Sequence, residues 1–204
     1  MCIRDRYLFK YTNHAEVVYS DAEPFIYTFK VRQNFDEHPV VKALGIAGFT
    51  DKYFKVEELT TSLEFTKDHE CGAKDVELFW KAIYVHLMDF DGKAIANMVV
   101  LAFKRDSALP LTFTVSATNG TGVIYVAEDT TPYRLEVYWR DTWFLEQQYK
   151  ETHGTKGIPR AINIYSFADE RREWFAGETA VIQTYTYIGL LLSLIHISEP
   201  TRPY

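Results

Sequence analysis

The chain has 204 residues with 22 Lys+Arg against 28 Asp+Glu, giving a formal net charge of -6, and 47% of its residues are hydrophobic. So much apolar side chain excludes a disordered or low-complexity polypeptide and is enough for a hydrophobic core. The acidic balance, without a block of basic residues, argues against direct binding of nucleic acid or anionic lipid. Its 2 cysteines exclude a disulfide framework and a four-cysteine zinc site.

Both ends of the chain look like translated adapter DNA. Residues 1–6 can be encoded by a string beginning ATGTGTATAAGAGACAG, and residues 192–197 by a string beginning CTGTCTCTTATACACAT, which is the reverse complement of the first. These strings resemble the transposase end used in sequencing libraries, and residues 198–202 suit its usual continuation. We therefore expect residues 1–6 and 192–204 to be non-native, and residues 7–191 to form one β-sandwich unit, a fragment of a longer protein.

Between these ends the dominant hydrophobic period is two, which indicates half-buried β-strands. From Phe25 to Val31, aromatic and aliphatic side chains at odd positions alternate with Ile26, Thr28 and Lys30. Similar short runs, separated by turn residues, occupy 62–66, 111–115, 123–127, 134–139, 161–167 and 180–188.

A short helix is predicted after the first of these runs. Asp36 is a suitable N-cap, Val40, Val41 and Leu44 share one helical face, and Gly45 is a suitable stop.

The segment Val76 to Phe90 fits two templates. Its apolar residues fill one face of a helix, but Leu78, Ala82 and Val85 then lie on the opposite, wet face. Aromatic and β-branched residues are also frequent in it. We therefore favour a long buried hairpin that turns near Asp91-Gly92 and continues into a strand-like run over 95–103, with a helix as the alternative.

Asn119-Gly120 is the clearest hairpin signal in the chain. Both residues tolerate the positive φ of a type I′ turn. Asn119-Gly120-Thr121 also fits a glycosylation acceptor, although a tight turn already accounts for these residues. Together, the periodicity and the turns predict an all-β fold, an antiparallel β-sandwich of jelly-roll type with at most one or two short helices.

Candidates for a chemical site are few. Asp89 and Asp91 beside Gly92 form a fragment of a calcium loop, but a solvated turn is the favoured interpretation. His69-Glu70-Cys71 offers potential ligands whose side chains point to opposite faces of an extended chain, so a polar loop is favoured. The mixed charge run 169–173 is expected to be a solvated loop or, alternatively, a salt-bridged subunit contact.

No nucleophile-elbow, dinucleotide-binding, phosphate-binding-loop or H-E-x-x-H motif occurs in the sequence. His14, His38, His86 and His153 are scattered without an adjacent nucleophile. We therefore predict no catalytic, metal or cofactor-binding residue, no cofactor and no enzymatic activity. The run from Ile188 to Ile197 is too short for a membrane span.

Two strings resemble segments of the major capsid proteins of large nucleocytoplasmic DNA viruses. The first is Val76-Glu77-Leu78-Phe79-Trp80. The second comprises Gln148-Tyr149, His153, Pro159 and the run Ile162 to Ala168. The resemblance covers residues 74–179, but the Pro-Ser-Gly turn and the Asn-Phe-Ser-Arg run of the family are absent.

The resemblance implies a structural virion protein with two jelly rolls per subunit. Its full-length parent is then expected to self-associate as a homotrimer, without catalytic residue or cofactor. The alternatives are a carbohydrate-binding β-sandwich, for which Trp139, Trp143 and Tyr149 are the candidate platform, and a hydrolase whose site assembles from distant residues.

Overall fold

The structure is a computed structural model that describes residues 13–19, 25–65, 78–128, 130–139, 142–154, 165–167 and 173–184. These residues form strands β1 to β10 and helices α1 to α3. The strands are β1 (Asn13–Tyr19), β2 (Phe25–Gln33), β3 (Glu58–Phe65), β4 (Lys81–Met88), β5 (Val99–Lys104), β6 (Thr112–Val115), β7 (Thr121–Val126), β8 (Tyr133–Tyr138), β9 (Tyr165–Phe167) and β10 (Thr179–Thr184). The helices are α1 (Pro39–Lys42), α2 (Phe49–Tyr53) and α3 (Thr142–His153).

The strands form three sheets. The N-terminal sheet is 3-stranded with the order β1-β2-β3, and the central sheet is 3-stranded with the order β6-β5-β8. The mixed sheet is 4-stranded with the order β7-β4-β10-β9. All strand pairs in the N-terminal and central sheets are antiparallel, whereas β10 pairs with β4 in parallel.

The central sheet is buried on both faces. Val100 and Ala102 of β5 belong to a core that also takes residues from β4, β7, β8 and β10. Val99, Leu101 and Phe103 belong to a second core, which α1, α2 and α3 cover with aromatic and aliphatic side chains. This double burial explains why β5 is a continuous apolar run rather than an alternating one.

The second core is largely aromatic. Phe49 of α2 stacks on Phe144 of α3 with a centroid distance of 5.9 Å, and Trp143 meets Phe54 edge-on at 5.6 Å. Phe113 of β6 lies 5.0 Å from Phe144. Tilted and edge-on pairs of this kind suit the ring quadrupoles and add to the burial of apolar area. Much of the aromatic content of the described residues is therefore core.

The segment Val76 to Phe90 contains a strand, as favoured, over Lys81–Met88. The long hairpin predicted after it is wrong. The turn at Asp91-Gly92 exists, and Gly92 has a φ of 79°, but Met88 and Ala94 make only an isolated bridge. The chain then crosses to the central sheet, where β5 pairs with β6 and β8. An alternating pattern shows which face of a strand is buried, but it does not show which strand pairs with it.

The turn at Asn119-Gly120 is confirmed, but its predicted type is wrong. Gly120 has a φ of 76°, whereas Asn119 does not have a positive φ, so the turn is not type I′. Gly120 N donates to Ala117 O over 2.9 Å. The turn joins β6 of the central sheet to β7 of the mixed sheet, so its two flanking strands are not paired with each other.

Helix α1 forms near the predicted place, and Gly45 follows it with a φ of 68°. Its N-cap is His38, whose Nδ1 accepts from Val40 N over 3.3 Å, and not Asp36. Asp36 instead accepts from Thr50 N over 2.9 Å, within the first turn of α2. Asp36 therefore binds the first turn of α2, 14 positions further along the chain, and does not cap α1.

Two further expectations need correction. The described residues contain α2 and α3 in addition to α1, so the limit of one or two short helices is exceeded. The arrangement is also not wholly antiparallel, because β4 and β10 run in the same direction. Both differences depend on contacts between distant segments. The predicted runs 161–167 and 180–188 lie partly outside the described residues, which show strands at Tyr165–Phe167 and Thr179–Thr184.

Candidate functional site

One face of the mixed sheet packs on the first core, and the opposite face points away from it. Ile83, Val85 and Leu87 of β4 are fully or almost fully buried in that core, so the residues between them lie on the other side. We call that side the outer face. It comprises Ala82, Tyr84, His86, Met88, Thr121, Val123, Tyr125, Thr179, Val181 and Gln183.

The strand register places these side chains in rows. Ala82 pairs with Tyr125, and His86 lies between Thr121 of β7 and Val181 of β10. Tyr84 lies between Val123 of β7 and Thr179 of β10. His86 therefore occupies the middle of the outer face, on the strand between the other two.

The outer face carries no Asp, Glu, Lys or Arg, although 25% of the chain is charged. Tyr84 and Tyr125 are 50% and 51% exposed on it. Exposed tyrosines and few charged groups characterise the centre of protein interfaces rather than ordinary surface. The outer face is the candidate functional site.

More exposed aromatic surface lies at the end of the mixed sheet where β4 and β10 begin. Phe79, just before β4, is 68% exposed, and Phe175, just before β10, is 41% exposed. Gly177 N donates to Ala82 O over 2.7 Å, which fixes the loop containing Phe175 beside the start of β4. The exposed aromatic residues thus extend from the outer face to one end of the sheet.

A second constellation surrounds the carboxylate of Glu57, which is only 8% exposed. Glu57 Oε2 accepts from Ala127 N over 2.7 Å, and Oε1 accepts from the Tyr133 hydroxyl over 3.1 Å. Lys104 Nζ lies 3.0 Å from Glu57 and 3.1 Å from Glu128. The carboxylate joins the segment before β3 to β5, to the end of β7 and to β8.

The titration properties of this cluster follow from burial and charge. Burial and the neighbouring Glu57 carboxylate raise the pKa of Tyr133 above its ordinary value. Partial burial opposes ionisation of Lys104, but its hydrogen bonds with Glu57 and Glu128 raise its pKa overall. Because Tyr133, Ala127 and Lys104 already occupy the Glu57 oxygens, we interpret this cluster as a structural connection and not as a catalytic base.

Asp89 and Asp91 form the favoured solvated turn. Asp89 Oδ1 accepts from Asp91 N over 3.0 Å and from Lys93 N over 2.8 Å, so the carboxylate holds its own loop. Among the described residues, no three His, Cys, Asp or Glu side chains come together as a metal-binding group. His69-Glu70-Cys71 lies outside the described residues.

Of the mixed charge run 169–173, only Glu173 is described. Its carboxylate accepts from Arg105 Nε over 2.9 Å and from Arg105 Nη2 over 2.8 Å. This bidentate pair within one chain lowers the pKa of Glu173 and raises the pKa of Arg105. The alternative of a salt-bridged subunit contact stays a prediction for the rest of the run.

The four histidines singled out in the sequence do not form one site. His38 caps α1, and burial lowers its pKa. His153 stacks on Tyr149 with a centroid distance of 4.3 Å near the end of α3. His86 lies on the outer face, and His14 lies on β1. The four are thus distributed over different elements.

The structure does not bring Trp139, Trp143 and Tyr149 together on one open groove. Trp139 packs against the first core, whereas Trp143 is buried in the second, on the other side of the central sheet. Tyr149 lies half-buried on α3. The exposed aromatic face was not predicted from the sequence, although the apolar residues at outward positions of β4 were a signal for it.

Comparison with known proteins adds no relative. Neither a family model, nor a curated protein, nor a solved structure matches this chain. Within the described residues, no helix has the length and apolar character that crossing a membrane requires.

Proposed function

We propose that this chain is part of a structural virion protein, a capsid subunit that works by self-association. The observation that carries the proposal is the outer face of the mixed sheet, which exposes Tyr84 and Tyr125 on a surface free of Asp, Glu, Lys and Arg. A subunit of a shell must bury apolar surface against its neighbours. An exposed, uncharged sheet face supplies such surface.

The positions of the two capsid-like strings also support the proposal. The first string, Val76 to Trp80, leads directly into β4. The second contains β9 (Tyr165–Phe167), which pairs with β10, and β10 pairs with β4. The strand that follows the first string and the strand within the second string thus belong to one sheet.

We further propose that the fold is a divergent jelly roll. The mixed and central sheets share the first core, as two layers of a sandwich do. The parallel pairing of β10 with β4 departs from the antiparallel jelly roll. The proposed family relationship therefore includes a local rearrangement of this sheet.

A carbohydrate-binding module is the second candidate, because half-exposed tyrosines also suit the faces of sugar rings. It predicts glycan binding by a monomeric parent protein. A hydrolase, the third alternative, predicts turnover of a substrate.

The test uses the full-length parent, recovered from an overlapping gene and purified. Sedimentation velocity measures its oligomeric state, and electron microscopy shows whether it forms closed shells or hexagonal arrays. A trimer that builds arrays supports the proposal. A parent that stays monomeric at high concentration overturns it, and glycan binding by that monomer supports the second candidate.

A further inference from the structure

We infer that Asn119-Gly120 is a self-modification site, at which the chain deamidates spontaneously through a cyclic succinimide, and that the closed turn between β6 and β7 restrains this reaction. The reaction needs no partner molecule except water. It goes beyond the proposed function and holds whatever the whole protein does.

The reaction takes place between two neighbouring residues. Gly120 N loses its proton and forms a bond to Asn119 Cγ, the Cγ–Nδ2 bond breaks, and the side-chain nitrogen leaves as ammonia. Water then opens the succinimide ring. Breaking the new bond leaves aspartate at position 119, whereas breaking the original peptide bond leaves isoaspartate, in which the backbone runs through the former side chain.

Residue identity distinguishes this pair from the other asparagines of the chain. Gly120 has no side chain to hinder the approach of its nitrogen to Asn119 Cγ. The other asparagines, at positions 13, 34, 97 and 163, are followed by His, Phe, Met and Ile. Asn119 is also exposed, so water reaches its carboxamide. An unfolded chain should therefore deamidate at position 119 before it does so at any other asparagine.

Hydrogen bonds of the closed turn hold both reacting groups. The nucleophile, Gly120 N, donates to Ala117 O over 2.9 Å. Asn119 Oδ1 accepts from Thr121 N over 3.1 Å and from the Thr121 hydroxyl over 2.7 Å. Attack on Cγ requires Gly120 N to leave the Ala117 carbonyl. The folded chain therefore reacts only when the turn opens locally.

Packing against β4 opposes the formation of isoaspartate. Gly120 O accepts from Leu87 N over 2.8 Å, and a Cβ on Gly120 would lie 2.3 Å from Leu87 O. Isoaspartate adds one methylene to the backbone immediately before this close contact. The modified turn cannot restore its native contacts with Leu87, so the modification weakens the junction of β6, β7 and β4.

The experiment follows the mass of the peptide that contains residue 119 while the 204-residue chain is incubated in mildly alkaline buffer, either folded or denatured in urea. Replacing the side-chain NH2 by OH raises the mass of that peptide. Peptide mapping separates it from Asp91-Gly92, which isomerises without a change in mass. We expect the folded chain to deamidate at least about tenfold more slowly than the denatured chain, because only the open turn reacts.

Thr121→Val tests the restraint. It removes the hydroxyl that binds Asn119 Oδ1 and keeps a β-branched residue at the start of β7. We expect the folded variant to deamidate about twofold to tenfold faster, the effect of one lost hydrogen bond on local opening, with no change in urea. Thr121→Ser keeps a hydroxyl and should retain the original rate. Thr60→Val, at an exposed position of β3, is the matched control and should retain both rates.

Two further variants separate the chemistry from its consequence. Asn119→Gln should abolish the mass gain at this position, because its longer side chain closes a ring much more slowly. Asn119→Asp carries the charge of the product without the extra methylene, so its melting temperature should stay close to the original value. The purified isoaspartate form should melt several degrees lower.

Contrary results are easily recognised. Equal rates in the folded and denatured chains would show that the turn imposes no restraint and would overturn the inference. A denatured chain that keeps Asn119 intact, or a folded Thr121→Val variant that reacts at the original rate, would overturn it as well. An isoaspartate form that melts at the original temperature would contradict the role given to the contact with Leu87.

Discussion

The hydroxyl of Tyr133 donates a hydrogen bond to Glu57 Oε1 over 3.1 Å, between residues that are 76 positions apart. Tyr133 is fully buried at the start of β8, and Glu57 directly precedes β3 of the N-terminal sheet. The bond therefore fixes the chain at the point where it leaves the second core for the N-terminal sheet. Lys104 of β5 and Ala127, which directly follows β7, hold the same carboxylate.

Removing this hydroxyl should destabilise the protein. We expect Tyr133→Phe to lower the free energy of unfolding by about 1 to 3 kcal/mol, because a buried carboxylate loses a hydrogen-bond donor. Urea denaturation followed by circular dichroism measures the change. Tyr149→Phe, on α3, is the matched control and should change it by less than about 0.5 kcal/mol. Equal losses in the two variants would contradict the role given to Glu57.

Thr50 offers a test of the polar contacts beneath the helices. Its buried hydroxyl accepts from Phe35 N over 2.8 Å and donates to Asp36 Oδ1 over 2.8 Å. Thr50→Val keeps the shape but removes the acceptor of Phe35 N and one of the two hydrogen bonds to Asp36 Oδ1, which keeps its bond from Thr50 N. We therefore expect a loss of about 1 to 3 kcal/mol in the free energy of unfolding. Thr50→Ser retains the hydroxyl and should recover most of that loss. Two variants of equal stability would show that the hydroxyl contributes nothing.

Gly120 is required for two separable reasons. Its φ is 76°, and a Cβ on it would lie 2.3 Å from Leu87 O. The carbonyl of Gly120 also accepts from Leu87 N over 2.8 Å, so the turn is in direct contact with β4. We expect Gly120→Ala to cost about 1 to 2 kcal/mol for the positive φ and a further 1 to 3 kcal/mol for the steric clash.

Gly92→Ala is the control for Gly120→Ala. Gly92 has a similar φ of 79°, but a Cβ there meets nothing within 4 Å. Its melting temperature should therefore fall much less than that of Gly120→Ala. A similar decrease in both variants would mean that backbone conformation alone, and not the approach to Leu87, requires glycine at position 120.

His38 should make the stability of the fold depend on pH. Burial lowers its pKa in the folded protein, so folding favours the neutral ring, whose Nδ1 accepts from Val40 N. This contribution is complete above the unfolded pKa of about 6.5 and is lost as the pH falls toward the lower folded value. Denaturant unfolding between about pH 5 and pH 8 measures it.

His38→Asn isolates that contribution, because Asn is a good N-cap that does not titrate. We expect the variant to lose part of the stability decrease seen at acid pH while α1 stays capped. An unchanged pH profile would assign the acid sensitivity to other groups. His86→Gln, which lies away from α1 on β4, serves as the control.

The sequence by itself determined that the protein is mainly β and placed several strands. The alternation from Phe25 to Val31 lies in β2, and the segment around Ile83 is a strand, because burial on one face of a pleated strand imposes a period of two. Gly45, Gly92 and Gly120 marked turns, since each has the positive φ that glycine adopts readily. These features depend on interactions within a few residues.

Tertiary structure alone decided which strands pair and which polar groups meet. Nothing near Asp91-Gly92 indicates that the chain crosses to another sheet, because alternation fixes the buried face of a strand and not its neighbour. Asp36 caps α2, and Glu57 meets Tyr133 and Lys104, through contacts across large sequence separations. The outer face exists only because β4, β7 and β10 align their outward residues. An uncharged surface made from three distant strands has no continuous signature in the sequence.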